Sequence, residues 1–366
     1  MPFTPDELKE MAERLAQDPD ALTSLAGGGE VAQIEGAYAA EAGCAYGLAC
    51  ASGTSAIQLA LLASDIGPGD EVIVAAYGWP QTVTAVLACG ATPVFADVSP
   101  VSGTLSAAAA TAVISSRTRG LLVTHLYGNP ADMTNLRAIS SQHGLVLIAD
   151  CCHALGARYA GRPVGALANI SAYSLGRGKL VGAGEGGMVT TSDRALYERM
   201  LLVSQHPLRS RAELSEATLS PELGSWSLTS RATRLTAAIA LARLKTAPAR
   251  LARRQQQRED LCALLRKDPG VTVLGAEPGG VSAAHECVAI AETGAGRPAL
   301  IARLTALGLT ATDGPVGTAL HLRDQSKRHW WPRFLDPRRA IGIGEAGRCP
   351  MAESLCEREV SIDVVE

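Results

Sequence analysis

The feature that most constrains the fold is an alternation of short apolar runs with helical stretches between about residues 45 and 205. Each run is followed by a turn rich in Gly, Pro or Asp and then by a stretch with helical periodicity. Three runs, VIVAA, LLVTHL and LVLIAD, are apolar on both faces, which is typical of parallel strands covered by helices on both sides. The sequence therefore predicts an α/β fold with a large, mostly parallel sheet between layers of helices.

The pattern predicts seven strands and five helices in this region. The expected strands are Tyr46–Cys50, Glu71–Ala75, Pro93–Val98, Gly120–His125, Leu145–Asp150, Ser171–Ser174 and Gly187–Thr191. The expected helices are Ser55–Ser64, Gln81–Cys89, Ser106–Ser115, Met133–His143 and Asp193–Val203. Glycine after a helix and proline beyond it, as in GATP at 90–93, mark the changes from helix to strand.

The alternation stops after residue 205. The stretch QHPLRSRAELSEATLSPELGSWS is predicted to be irregular, and 231–265 to be one long helical region interrupted near Pro248. A smaller C-terminal α/β domain is expected beyond it, with strands in VTVLG and ECVAIAE and a helix in PALIARLTALG. The segment HWWPRFLDPRRAIGIGEAGRCP fits no element clearly. We therefore predict an N-terminal helical segment at 1–30, a large domain at 31–245 and a small domain at 246–366.

Composition narrows the class of protein. With 47% hydrophobic and 19% charged residues, the chain has the usage of a globular protein rather than a disordered one. A formal charge of −3 gives no reason to expect nucleic acid or an anionic membrane as a partner. The nine cysteines include no Cys-x-x-Cys, which favours reduced thiols over a metal site or a disulfide framework. We expect a soluble, unprocessed cytoplasmic protein without a metal.

A glycine-rich segment at 182–187, GAGEGG, matches the pattern G-x-G-x-x-G of dinucleotide-binding proteins. In those proteins the glycines follow a strand and open a helix whose N-terminus faces the pyrophosphate. Here they run into GMVTT, which is typical of a strand. The context therefore argues against a dinucleotide site.

Two sites at predicted strand ends carry ligand-binding chemistry. In CASGTS at 50–55, small and hydroxyl residues stand where a strand ends and a helix begins, which suits a phosphate, although the motif taken alone favours an ordinary helix N-cap. Asp150 ends LVLIAD and so lies at the carboxyl edge of the sheet, where α/β proteins bind ligands. A buried carboxylate there requires a positive partner, such as a protonated ring nitrogen or an arginine.

Lys179 and His153 are weaker candidates when each is taken alone. Lys179 stands in SLGRGKLVGAGEGG among small residues, an environment in which a lysine can lose its proton and react as an amine that forms Schiff bases. His153 follows Asp150 by three residues, and a single histidine more often caps or fills than it binds a ligand. Lys179 gains weight because a glycine run and hydroxyl residues flank it.

Three long stretches together carry a family resemblance. They are SGTSAIQLALLASDIGPGDEVIVAAYGWPQTVTAVLACGATPVFADV, HLYGNPADM and IADCCHALGARYAGRPVGALANISAYSLGRGKLVGAGEGGMVTT. In this order they resemble the DegT/StrS group of fold-type-I pyridoxal-phosphate enzymes, the sugar and aminocyclitol aminotransferases of bacterial polysaccharide and antibiotic pathways. The resemblance is strong over about residues 30 to 205. It implies fold type I and pyridoxal 5′-phosphate as cofactor, with pyridoxamine 5′-phosphate as its intermediate form.

The resemblance also implies roles for individual residues. Lys179 matches the lysine that binds the cofactor covalently, and Asp150 matches the partner of the pyridine nitrogen. Trp79, in YGWPQT, matches the aromatic residue that stacks on the ring, and His153 the Gln/His position beside it. The positions that match the family's phosphate contacts are Gly53, Thr54 and Ser174. The chemistry asks for the same types of group: an amine, an anion, a flat face and phosphate donors.

A further match lies beyond the irregular stretch. Where the family reads Asn-Tyr-Arg, this chain has Thr229-Ser230-Arg231, so the arginine is kept and the asparagine is not. In the family this arginine reaches the phosphate of the neighbouring subunit. The resemblance thus implies that Arg231 binds cofactor and that the protein is a homodimer with shared active sites.

The function implied is transfer of an amino group in two half-reactions, a ping-pong mechanism. The donor is expected to be L-glutamate or L-glutamine, and the acceptor a keto-sugar, a keto-cyclitol or a related natural-product intermediate. Lys179 argues against the family's dehydratase branch, in which a histidine replaces the lysine. Two alternatives stay open: elimination, replacement or racemisation on an amino acid with the same cofactor, and a non-catalytic paralogue.

Overall fold

A seven-stranded sheet forms the centre of the protein in the computed structural model, which describes residues 5–17, 23–215, 227–314, 319–320 and 347–364. Its strands are β1 (Tyr46–Cys50), β2 (Glu71–Ala75), β3 (Thr92–Ala96), β4 (Thr118–Thr124), β5 (Val146–Asp150), β8 (Ile170–Ser174) and β9 (Gly187–Thr191). They lie in the order β1-β9-β8-β5-β4-β2-β3, and in this sheet only β9 runs antiparallel to its neighbours. The predicted mostly parallel α/β sheet is therefore confirmed.

Helices pack against this sheet and connect its strands. They are α1 (Pro5–Ala16), α2 (Glu30–Ala42), α3 (Gly53–Ala63), α4 (Pro80–Ala88), α5 (Ala107–Ala112), α6 (Met133–His143), α7 (Arg194–Ser204), α8 (Pro207–Glu213) and α9 (Arg234–Leu265). Every residue of β2 and of β9 is buried, so both faces of the sheet are covered. Among the helices of the described ranges, none is at once long and apolar enough to cross a membrane.

The predicted bounds agree closely with the observed ones in the sheet. Tyr46–Cys50, Glu71–Ala75, Gly187–Thr191 and the helix Met133–His143 have the predicted bounds. The other predicted strands and helices of this region are present, with ends displaced by at most three residues. The glycines at 182–187 lead into β9 and not into a helix, so the argument against a dinucleotide site holds.

The prediction of an irregular stretch from 205 to 227 was wrong for its first part, because α8 lies there. Pro207 opens this helix, and the His206 side chain caps it by accepting from the N–H of Leu208 at 3.2 Å. Arg209 fixes the helix to the core through a bidentate ion pair with Glu35 at 2.7 and 3.0 Å. Hydrophobic periodicity misses such a helix because a buried ion pair, and not an apolar stripe, holds it in place. Residues 216–226 lie outside the described part.

The interruption predicted near Pro248 is also absent, since α9 continues through that residue. A proline in a helix lacks an N–H donor and crowds the carbonyl one turn earlier, which usually breaks the helix. Here Ala247 is buried, and Leu244 and Leu251 pack against the main core on either side of the proline. Tertiary packing therefore outweighs the local cost, and α9 forms one rod from Arg234 to Leu265.

The C-terminal part forms a second, antiparallel sheet. Its strands are β10 (Val271–Val273), β12 (Glu286–Ala291), β13 (Ala311–Asp313) and β14 (Glu359–Asp363), in the order β10-β12-β14-β13, with helices α10 (Arg297–Ala306) and α11 (Pro350–Arg358). The short strand β11 (Gly280–Val281) pairs instead with β6 (Arg158–Tyr159), which also pairs with β7 (Arg162–Pro163). The strands and the helix predicted in this part are thus confirmed. The predicted boundary at 245/246 falls inside α9, and the division into domains stays a prediction; the unassigned segment lies almost wholly outside the described residues.

Asp97, just after β3, joins the two sheets by capping α11 across the chain. Its carboxylate accepts from the N–H groups of Met351 at 3.0 Å and Ala352 at 2.9 Å, and Cys349 provides no side-chain cap. We expect Asp97→Ala to lower the free energy of unfolding by about 1 kcal/mol, the usual value of a lost N-cap. Urea unfolding measures this, and Asp97→Asn, which keeps an acceptor, should lose less. Equal losses in both variants would contradict the capping role.

Candidate active site

A cavity of about 260 Å³ opens at the carboxyl edge of the central sheet. Because β1, β5 and β8 are parallel to one another, their last residues meet at this edge. The cavity is lined by Ser52, Gly53, Thr54, Ile57, Trp79, Gln81, Thr82, Thr124, Asp150, Cys152, His153, Ser174, Lys179 and Glu185. All predicted cofactor-binding positions except Arg231 are therefore brought together.

One wall of the cavity is the N-terminus of α3. Ser52 caps the helix, accepting from the N–H of Ser55 at 3.1 Å. No described residue accepts from the N–H groups of Gly53 or Thr54, which are the first two of the helix and have no intrahelical partner. A Cβ on Gly53 would lie 2.8 Å from Ser174 Cβ and 3.0 Å from the Cys152 sulfur, so only glycine allows this close approach. The motif is therefore an N-cap, and it also presents N–H groups that could bind an anion, so the phosphate site stays a prediction.

Asp150 is anchored with its carboxylate in the cavity. It is 5% exposed, and Oδ1 accepts from the N–H of Cys152 at 3.0 Å. Oδ2 accepts from the hydroxyls of Thr124 at 3.2 Å and Thr82 at 3.4 Å. All three partners are neutral, so among the described residues Asp150 has donors but no ion-pair partner. A cationic group of a ligand could supply an ion-pair partner for the Asp150 carboxylate.

The loop that carries Lys179 folds tightly after β8. The N–H of Lys179 donates to the carbonyl of Gly176 at 3.2 Å, and its own carbonyl accepts from the N–H of Gly182 at 3.0 Å. Gly178 has φ +82°, a left-handed conformation that favours glycine. Ser174 Oγ accepts from the N–H of Gly176 at 3.1 Å, so its hydroxyl hydrogen remains available to a ligand.

The Lys179 amine is half-buried, and burial lowers its pKa from the usual value for lysine. The neighbouring Cys152, Asp150 and Glu286 oppose this shift, and the positive charge of Arg254 adds to it. A lysine with a lowered pKa exists more often as the free amine, which is the nucleophilic form. The environment thus prepares Lys179 for reaction with a carbonyl group.

Trp79 and His153 stand at the cavity with their rings nearly perpendicular, 6.2 Å apart at 88°. His153 stacks on His285, with ring centroids 4.1 Å apart, and its Nδ1 accepts from the N–H of Tyr127 at 3.3 Å. Burial lowers the pKa of both histidines well below the usual value, and the Lys179 charge lowers each further. Both rings are therefore neutral at neutral pH, so His153 offers a hydrogen bond and not a charge.

Arg231 does not line this cavity. It is half-buried just before α9, and its Nη1 is shielded from water without an acceptor among the described residues. This placement leaves the cavity of one chain without an arginine among its lining residues in the described ranges. Its predicted action in the neighbouring subunit stays a prediction.

Sequence reasoning missed several residues at the site. Thr124 and Thr82 hold the Asp150 carboxylate, and Thr124 could have been found because it ends a strand next to β5 at the same sheet edge. His285 carries no local signal, since it comes from the C-terminal part and reaches His153 only in the folded chain.

The chain is similar in sequence to proteins of known activity. The chain matches the DegT/DnrJ/EryC1/StrS aminotransferase family over residues 7–366. It is 44% identical over 174 residues to UDP-N-acetyl-3-dehydro-α-D-glucosamine 3-aminotransferase of Acidithiobacillus ferrooxidans, a match that covers 47% of each chain. It is 43% identical over 164 residues to L-glutamine:2-deoxy-scyllo-inosose aminotransferase of Streptomyces fradiae, covering 45% of this chain and 39% of that one. These matches thus span half or less of the curated relatives.

A solved structure extends the likeness to the whole chain. The aminotransferase from Psychrobacter cryohalolentis superposes with a TM-score of 0.84 at 28% identity, over 99% of this chain and 92% of that one. The architecture is accordingly that of fold type I. Because the match to the family spans nearly every residue and the fold agrees throughout, this chain belongs to the DegT/DnrJ/EryC1/StrS aminotransferase family.

Proposed function

We propose that the protein is a pyridoxal 5′-phosphate-dependent aminotransferase that moves an amino group from L-glutamate or L-glutamine to a keto-sugar, a keto-cyclitol or a related intermediate. One observation carries the proposal: a half-buried lysine, a buried carboxylate and the N-terminus of α3 line the same cavity, and no described residue pairs with that carboxylate or accepts from the first two N–H groups of the helix. The names of the two curated relatives, one acting on a dehydro sugar and one on a cyclitol with glutamine, support the substrate classes.

The residues of the cavity fit this cofactor. The N–H groups of Gly53 and Thr54 and the hydroxyl of Ser174 would hold the phosphate, and no residue in the described ranges accepts from those two N–H groups. The Asp150 carboxylate would hold a proton on the pyridine nitrogen. Trp79 would cover the ring face, and its buried Nε1 has no acceptor among the described residues. His153 would lie beside the ring as a neutral hydrogen-bonding group.

Lys179 would do two things in the reaction. Its Nζ would hold the cofactor covalently and, when displaced by an amino donor, would be the free amine that moves a proton from the donor's α-carbon. The lowered pKa of Lys179 keeps this nitrogen able to accept a proton. When bound, pyridoxal 5′-phosphate supplies the electron sink that accepts the charge developing at that carbon. Asp150 sustains this sink by holding the ring proton in place.

A half-reaction tests the proposal. Protein loaded with pyridoxal 5′-phosphate is given L-glutamate or L-glutamine alone, and we expect the visible band to disappear and one equivalent of pyridoxamine 5′-phosphate to form. Keto-sugar nucleotides and keto-cyclitols are then screened for the return of the band. Release of ammonia or of the opposite enantiomer with the band retained would indicate elimination or racemisation instead. If the protein binds no cofactor, the non-catalytic paralogue is the remaining hypothesis.

Trp79→Ala is expected to weaken retention of cofactor more than it slows chemistry. The lost stacking is worth about 0.5 to 1.5 kcal/mol beyond burial, which corresponds to about two- to tenfold in affinity. Equilibrium dialysis against pyridoxal 5′-phosphate measures it. Trp79→Phe keeps an aromatic side chain and should retain most of the affinity. If the Trp79→Ala and Trp79→Phe variants bind the cofactor equally well, Trp79 does not face the cofactor ring.

We further propose a homodimer in which Arg231 reaches the phosphate of the neighbouring subunit. The phosphate carries close to two negative charges, and the described lining residues near Gly53 offer it N–H and O–H groups without a cation. Arg231 lies away from its own chain's cavity with a buried nitrogen that lacks an acceptor among the described residues. Both observations support an arginine acting across an interface.

Subunit complementation tests this arrangement. Mixed Lys179→Ala and Arg231→Ala chains should recover activity, approaching half that of the wild type per heterodimer, because one site then has both residues intact. The control mixes Lys179→Ala with Asp150→Asn; these residues line the same cavity of one chain, so no intact site forms. Heterodimers that stay inactive in the first mixture would exclude the shared site.

A further inference from the structure

Two arginines of α9 bind the backbone on either side of Lys179. Arg250 Nη1 donates to the carbonyl of Leu180 at 2.6 Å, and Arg254 Nη2 donates to the carbonyl of Gly178 at 3.3 Å. Since they are four residues apart, the two arginines lie on the same face of the helix. The reactive lysine is therefore the residue between the two carbonyls that α9 holds.

Arg254 also places a buried positive charge beside the amine. It is 5% exposed and lines a second, narrow cavity together with Lys179, His153 and His285. Charges interact more strongly where water is excluded. Arg254 accordingly lowers the pKa of Lys179 and also that of His285. Arg253, the preceding residue, is exposed and belongs to neither cavity.

Other ionisable groups around Lys179 come from several elements. They are Tyr38 of α2, Asp150 at the end of β5, Cys151, Cys152 and His153 just after it, Glu185 in the glycine run, Arg254 of α9, His285 just before β12 and Glu286 at its start. The largest influence on the pKa of Lys179 is burial, which lowers it. Cys152, Asp150 and Glu286 raise it, so Arg254 is the cation that acts with burial against the two carboxylates.

We propose that Arg250 and Arg254 are positioning residues for Lys179: both fix the reactive loop by its carbonyls, and Arg254 in addition places its positive charge in the narrow cavity that Lys179 lines. The inference rests on the proposed function, in which the lysine reacts as an amine. The loop turns through a left-handed glycine beside the lysine, and its hydrogen bonds to two arginines of a long helix hold Lys179 at the cavity. The charge of Arg254 offsets the carboxylates that would keep the amine protonated.

The test measures the pH dependence of the reactivity of the Lys179 amine in cofactor-free protein. Trace acetic anhydride labels cofactor-free protein across a range of pH, and mass spectrometry follows the Lys179 peptide relative to that of the exposed Lys245. In Arg254→Gln the titration midpoint of Lys179 should rise, so that labelling near pH 7 falls by about three- to tenfold, half to one unit in pKa. Arg254→Lys, which keeps the charge, should restore the midpoint, and Arg253→Gln should match the wild type.

Arg250→Gln tests the hydrogen bond to the lysine loop separately from the effect of the Arg254 charge. Hydrogen–deuterium exchange over residues 176–182 should accelerate in this variant while the Lys179 midpoint stays near that of the wild type. An unchanged midpoint in Arg254→Gln, a shift of equal size in Arg253→Gln, or loop exchange unchanged in Arg250→Gln overturns the proposal. If Arg254→Gln does not fold, Arg254→Lys and Arg250→Gln decide: a raised midpoint in the first or unchanged exchange in the second overturns it.

A parallel measurement separates this proposal from the proposed function. Wild-type protein is incubated with pyridoxal 5′-phosphate, reduced with borohydride and digested. Cofactor mass absent from Lys179 would refute the proposed function, whereas the labelling and exchange results report on the two arginines in the absence of cofactor. Each conclusion can therefore fail independently.

Discussion

Replacing Lys179 with alanine is expected to abolish multiple turnover while the fold survives. The half-buried amine is the cavity's only lysine among the lining residues of the described ranges, and in the proposed function both the covalent link and the proton shuttle would depend on it. Loss of general acid–base catalysis alone is worth about 10² to 10⁴ in rate, and loss of the covalent link adds to it. Steady-state assays with donor and acceptor measure the loss, and circular dichroism reports on the fold.

The matched control is Lys245→Ala, which removes an exposed lysine of α9 and should leave activity unchanged. Borohydride reduction of wild-type protein should bleach the visible band and fix the cofactor's mass on Lys179. That mass on another lysine, or residual turnover within tenfold of the wild type in Lys179→Ala, would remove the lysine from its assigned role.

Asp150→Asn is expected to leave cofactor bound but to slow the proton-transfer step. The carboxylate is buried and its neutral donors would still hold an amide, so the change removes mainly the charge that holds the ring proton. Losing a charge-assisted buried hydrogen bond costs about 1.5 to 3 kcal/mol, or about ten- to a hundredfold in rate if felt fully in the transition state. Stopped-flow absorbance with donor alone measures the rate.

Asp97→Asn serves as the control, since Asp97 follows the edge strand β3, which is separated from β5 by β4 and β2, and lies outside the lining of the cavity. It should leave the half-reaction rate unchanged. If the half-reaction rate of Asp150→Asn equals that of the wild type, another residue holds the pyridine nitrogen. Asp150 would then have only a structural role.

The strands of the central sheet could be predicted from local sequence because the residues that form each strand, and the turn residues at its ends, identify it. A strand such as Glu71–Ala75 is buried on both faces, so its apolar run is continuous and is bounded by turn residues. The carboxyl edge of a parallel sheet then places Asp150 and the start of α3 together without further information. The predicted role of Trp79 came instead from the family resemblance, whereas that of Lys179 came from its small and hydroxyl neighbours together with the resemblance.

What only the tertiary structure decided depends on partners far apart in the chain. α8 forms because Arg209 pairs with Glu35, and α9 continues through Pro248 because the residues around it pack on the core. His285 reaches His153 from the C-terminal part, and Arg254 reaches the lysine loop from a helix whose register no periodicity reveals.

The sequence by itself therefore determined the α/β class, the succession of strands and helices along the chain and the residues at the strand ends, because burial and turn formation act on neighbours along the chain. The tertiary structure alone decided which groups support those residues: the hydroxyls on Asp150, the histidine behind His153 and the arginines beside Lys179. Such contacts are set by the packing of whole elements, and their energies depend on burial and distance that no local pattern contains.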